Sequence, residues 1–195
     1  MKTLMLITLF AFLSACIAPQ FTVRKNDSRF EAEGYYSEGN RISTTSITGG
    51  THIDDYGVFI NPFIDTKGSR VGFFITNKTR TSSNFGSPNS LGAITAITFL
   101  TDKGEVRLNT RTNANQYGSG FSNTMAHDST LTFNESAFTY LTAEQYKKIS
   151  NSKSLVVHIS GSKRNMTYEP DQIQPSFQEN IKNFYEKYVI KRLLI

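Results

Sequence analysis

Ile94-Thr95-Ala96-Ile97-Thr98-Phe99-Leu100 runs into Asp102-Lys103-Gly104 and returns as Glu105-Val106-Arg107-Leu108-Asn109. The outgoing segment is rich in β-branched and aromatic residues, and the middle three residues supply turn chemistry. On the return, Val106 and Leu108 alternate strictly with Glu105, Arg107 and Asn109. A period of two puts one face in a core and the other in water, the pattern of an antiparallel hairpin. Working outward, Val58-Phe59-Ile60 and Val71-Gly72-Phe73-Phe74-Ile75 flank a second turn, Asp65-Thr66-Lys67-Gly68-Ser69. Pro62 has no amide to donate, which predicts an edge or a strand end there. Strand patterns resume at Leu131-Thr132-Phe133, Ala137-Phe138-Thr139-Tyr140 and Leu155-Val156-Val157-His158-Ile159. Together these predict a mainly β chain, an antiparallel β-sandwich-like domain of six to eight strands, with a short capped helix and a C-terminal α-helix.

The short helix is announced by Thr142-Ala143-Glu144-Gln145, a capping box preceded by Leu141 and followed by Tyr146 as a hydrophobic staple. It should run to about Ser150, with Tyr146 and Ile149 inward and Lys147 and Lys148 outward. The second helix begins near Pro175 or Ser176. Phe177, Ile181, Phe184 and Tyr188 form its apolar stripe, widened by Tyr185 and Val189, and a face that broad must pack on a sheet.

Between residues 112 and 130 lies a polar stretch of Asn, Gly, Ser and Thr, too long for a tight connection. It holds Tyr117 and Phe121. Aromatic rings in polar loops suit contacts with a glycan or peptide, and equally suit plugging the end of a sandwich. Both readings stand at this point.

The N-terminal end reads differently. Lys2 precedes an apolar run over residues 4–13, too short to span a bilayer as a permanent helix, and Leu13-Ser14-Ala15-Cys16 closes it with the only cysteine of the chain. This segment resembles the lipobox of bacterial lipoprotein precursors. The resemblance covers about sixteen residues and implies that the Cys16 thiol receives a diacylglycerol, that residues 1–15 are removed, and that the exposed amine is acylated. Ile17 and Ala18 follow the cysteine where an aspartate tends to retain such proteins at the inner membrane, so the resemblance points to the outer membrane. The alternative is a plain secretory peptide cut after Ala15 or Ala18. On the lipoprotein reading, residues 16–50 form a lipidated cysteine and polar tether, with a weak edge strand through Tyr35 and Tyr36. Residues 51–195 form one β-rich domain with the C-terminal helix.

Removal of residues 1–15 leaves 180, enough for a single domain with a real core. With Cys16 committed to lipid there is no disulfide to help, so packing stabilises the fold, and Phe is its chief bulk. Charge is unevenly spread: residues 145–195 carry nine Lys/Arg against four Asp/Glu, while residues 16–144 are close to neutral. Lys147, Lys148, Lys182 and Lys187 make a candidate basic surface, either a solvated face or a docking face for anionic headgroups or an acidic partner. No nucleic-acid-binding fingerprint is present.

Catalytic motifs are wanting. No Gly-x-Ser-x-Gly elbow occurs, no cofactor motif is found, and His52, His127 and His158 share no metal-ligand spacing. The expectation is a membrane-anchored envelope lipoprotein acting as a non-enzymatic binding or assembly module with an envelope protein or glycan as partner. An envelope hydrolase acting on glycan or peptide, and a structural spacer without ligand, are the alternatives.

Overall fold

The computed structural model describes residues 21–26, 33–43, 56–67, 70–82, 90–111, 118–122 and 130–193. Among the described residues, ten strands and a small helical layer follow in the order β1 (Thr22–Lys25), β2 (Gly34–Glu38), β3 (Gly57–Asp65), β4 (Arg70–Ser82), β5 (Ile94–Thr101), β6 (Gly104–Asn109), β7 (Gly118–Ser122), β8 (Thr130–Leu141), α1 (Ala143–Ser150), β9 (Leu155–Gly161), β10 (Asn165–Tyr168), α2 (Pro175–Phe184), a π-helical turn (Tyr185–Val189) and α3 (Ile190–Leu193). The expected class holds, since the chain is mainly β and sandwich-like, but the described residues form ten strands where six to eight were expected. All pairings are antiparallel, in a six-stranded sheet β1-β2-β3-β4-β8-β7 and a four-stranded sheet β10-β9-β5-β6.

The sheets meet face to face where the Phe73 and Phe99 rings approach to 5.5 Å. They also join at a corner. β7 occupies only the first part of β8, so beyond Asn134 the free side of β8 takes an isolated bridge from Arg111, just past β6. The Arg111 and Phe138 amides and carbonyls exchange hydrogen bonds of 2.8 and 3.0 Å, and the Thr139 hydroxyl donates to the Asn109 carbonyl. The helices pack elsewhere, α1 against β5 and β6 and α2 against β3.

The hairpin at residues 94–109 forms as its alternation requires. Thr101 pairs with Gly104 across a two-residue turn, Val106 and Leu108 are buried, and Glu105, Arg107 and Asn109 are exposed. A register shift between Ile94 and Ala96 brings Ile94 to the core side with Ile97 and Phe99. The capping box of α1 is complete: the Thr142 hydroxyl accepts from the Gln145 amide at 3.1 Å and the Gln145 carboxamide accepts from the Thr142 amide at 2.8 Å.

Several expectations need correction. Pro62 lies inside β3, between β2 and β4, not at an edge. Its carbonyl accepts the Ser37 hydroxyl at 2.7 Å, so Pro62 turns its missing donor toward β2, where the ladder stops after Tyr36 and Phe63. Asn40 and Asn61 repair the gap. The Asn61 carboxamide oxygen accepts from the Asn40 amide, and the Asn40 side chain donates to the Ile60 carbonyl, both at 2.9 Å. The strand through Tyr35 and Tyr36 is not an edge either, since β1 lies outside it, and residues 22–25 and 34–43 therefore belong to the sheet rather than to a tether. Two apolar segments expected as separate strands form the single strand β8, because Glu135 between them is buried with partners of its own.

The six-stranded sheet also departs from the simple pattern of apolar inside and polar outside. β3 is buried on both faces: Val58, Ile60 and Ile64 join the core, while Phe59 and Phe63 are buried on the other side. Phe63 lies over Gly72, whose added Cβ would stand 2.3 Å from the ring, and it contacts Tyr36 and Tyr140 at centroid distances of 6.0 and 5.7 Å.

Candidate functional site

The helical layer is built around Tyr146. Its ring stacks on Phe73 at 5.4 Å and on Tyr185 at 5.1 Å, and its hydroxyl donates to the Ile181 carbonyl at 3.1 Å. Complete burial pushes this phenol well above its ordinary pKa, with the Tyr185 phenol adding a smaller push. Tyr146 thus ties α1, α2 and the six-stranded sheet together, and fixes which helix sides are left for solvent.

α2 starts with Gln174 as N-cap and Pro175 in the first turn, where the missing amide costs nothing. Phe177, Ile181 and Phe184 are fully buried, as their spacing predicts. The π-helical turn then adds one residue to the turn, which the sequence did not announce. With it, Tyr185 and Val189 follow Phe184 into the core, while Tyr188 is only partly buried and packs against Tyr35 of β2 at 4.8 Å. On the exposed side, Lys182, Glu186 and Ile190 stand four residues apart in one row, and Asn183, Lys187 and Lys191 form the next.

The four candidate lysines consequently divide into two pairs. Lys147 is exposed on α1, and half-buried Lys148 brings its ammonium beside Gly104 in the β5–β6 turn, so this pair belongs to the side of the four-stranded sheet. Lys182 and Lys187 are exposed on the helix that covers β3 and reaches β2. Of the loop aromatics, Phe121 lies in β7 opposite Leu131, a strand where a loop was expected, and Tyr117 lies outside the described residues. Cys16, His52 and His127 also lie outside them. His158 sits on the polar side of β9, where Nδ1 is 2.8 Å from the Thr167 hydroxyl. Among the described residues, no three His, Cys, Asp or Glu are grouped to hold a metal ion.

The most elaborate polar centre was not foreseen. Glu135 of β8 is buried, and its carboxylate accepts from the Asn77 side chain at 2.8 Å, the Ser90 hydroxyl, the Leu91 amide at 2.8 Å and the Gly92 amide at 2.9 Å. An ionised carboxylate has about four acceptor sites. All four are used, which makes Glu135 a clip that holds residues 90–92 against the sheet at the entrance to β5. A carboxylate engaged in this way has no lone pair left to take a proton from a substrate. Asp65 plays a smaller version of this part at the β3–β4 turn, accepting from the Lys67 amide at 3.0 Å and pairing with Arg70 at 2.8 Å.

No family model, no curated protein and no solved structure matches this chain.

Proposed function

We propose that this chain is a lipid-anchored bacterial envelope protein, held at the outer membrane through Cys16, that acts as a non-enzymatic binding or assembly module. The observation that carries the reading is the apolar run over residues 4–13 behind Lys2, closed by Leu13-Ser14-Ala15-Cys16 with the only cysteine at the cut site. The start of β1 at Thr22 supports it, because a folded body begins soon after the anchor position. Feeding cells a clickable palmitate analogue tests the anchor. The wild-type chain should be labelled and Cys16→Ser should not be; equal labelling of both overturns the reading.

A further inference from the structure

Only residues 17–21 separate Cys16 from β1, and Phe21 and Val23 already pack against the core. Fully extended, that leash spans at most roughly 18 Å. A domain on so short a leash presents to the bilayer whatever lies along the β1–β2 edge. The C-terminal helix lies there: the Gln174 amide donates to the Ile42 carbonyl, Asn180 to the Asn40 side chain, and Tyr188 packs on Tyr35, so α2 and the π turn run along β2 from the Thr22 end of β1, where the leash leaves, to its Lys25 end, about 10 Å farther and within reach of the leash. We infer that the exposed face of this helix, Lys182, Lys187, Ile190 and Lys191, rests on anionic phospholipid headgroups beside the lipid anchor.

The chemistry of that face suits a headgroup layer. Three lysines and Lys25 of β1 face solvent against Glu179, Glu186 and Glu33, an excess of one positive charge, while Arg24 is already paired with Glu38 at 3.3 Å. Ile190 is one of two large apolar side chains well exposed among the described residues, and it stands between Lys187 and Lys191 in sequence, the mixture of a basic rim and an apolar contact that interfacial helices use. One net charge is a weak attraction for a free protein. A short tether raises the local concentration of the surface to the millimolar range, so a weak contact suffices to set orientation. Lys147 and Lys148, on the side of the four-stranded sheet, stay clear of the bilayer.

The inference rests on Cys16 lipidation, and the native cysteine makes the test clean. Its thiol carries the lipid, so a cysteine introduced into the full-length lipidated chain is the sole free thiol. Ile190→Cys replaces an exposed side chain, and Leu100→Cys, 44% exposed on the four-stranded sheet, is the control. Each is reconstituted in neutral phosphatidylcholine vesicles and in vesicles containing phosphatidylglycerol, then labelled with a membrane-impermeant maleimide. Ile190→Cys should react roughly 5-fold more slowly on anionic than on neutral vesicles at low salt, with added salt or Lys182→Glu, Lys187→Glu and Lys191→Glu together restoring the rate. Leu100→Cys should react equally on both. Equal rates at Ile190→Cys, with diacylglycerol confirmed on Cys16 by mass spectrometry, overturn this orientation and leave the anchor standing. A chain without lipid that does not sediment with vesicles overturns both.

Discussion

Glu135 offers the sharpest test of the fold, because two substitutions should fail in different ways. Alanine removes all four acceptors' worth of hydrogen bonding from the Asn77, Ser90, Leu91 and Gly92 donors. Asn77 and Ser90 can turn toward other partners, but the two backbone amides cannot, and each buried donor left unpaired costs about 1–3 kcal/mol. Glu135→Ala should therefore lose roughly 3–5 kcal/mol. Glutamine keeps one oxygen and replaces the other with an amino group. The oxygen should stay with Leu91 and Asn77, since on the other side the Ser90 hydroxyl can accept from the new amino group. Gly92 would then keep only its 3.3 Å contact with the Ser90 hydroxyl, so Glu135→Gln should cost about 1–2 kcal/mol. Urea unfolding gives the two magnitudes, and amide hydrogen exchange reads the asymmetry: Gly92 should lose protection while Leu91 keeps it. A glutamine variant as stable as wild type, or one that exposes Leu91 and not Gly92, would falsify the clip.

Phe184→Ala should cost about 3–5 kcal/mol in urea unfolding, as expected for a ring that is 1% exposed in the core, and a loss below about 1 kcal/mol would remove the helix from the core. Tyr146 and Tyr168 are buried phenols whose pKa values desolvation raises, so in the folded chain they stay protonated when the unfolded chain ionises. Stability should hold below about pH 10 and fall above it by about 1.4 kcal/mol per pH unit for each tyrosine, a slope that Tyr168→Phe should roughly halve in alkaline unfolding curves. Asp102 is exposed, yet the Ser152 hydroxyl and then the Lys153 amide hold its carboxyl below the ordinary value of 3.8, so its stabilising effect is full above that pH and fades as the pH drops through the lower folded value. A carbon-detected NMR titration should find its midpoint under 3.8 and find that Ser152→Ala moves it up.

What could be read from sequence was local. The turn at residues 102–104 and the Thr142–Gln145 cap engage residues two to four apart, and both stand as their spacing required. Glu135 misled because a charged residue between two apolar runs reads as a break, and the amides that satisfy it lie 43 and 44 positions away. Pro62 misled for the same reason, since its place inside a sheet depends on Ser37, Asn40 and Asn61 supplying what the ladder lacks. The basic residues were legible as a set. Their division into two surfaces was not, because it follows from which sheet each helix covers and from a π turn that no residue pattern marks.

The helix that covers β3 and reaches β2 joins the two ends of the chain. Asn180 reaches Asn40 across 140 positions of chain, and Gln174 reaches Arg41 across 133. Loop closure over such distances costs only logarithmically more than over short ones, but contacts of this span form slowly. In the folded domain the first strands are thus closed by the last residues synthesised, and without them the side of β2 that carries Tyr35 would lack its cover. On the export route that the proposed anchor implies, the body would close only once the C-terminal helix has arrived on the same side as the N-terminal strands.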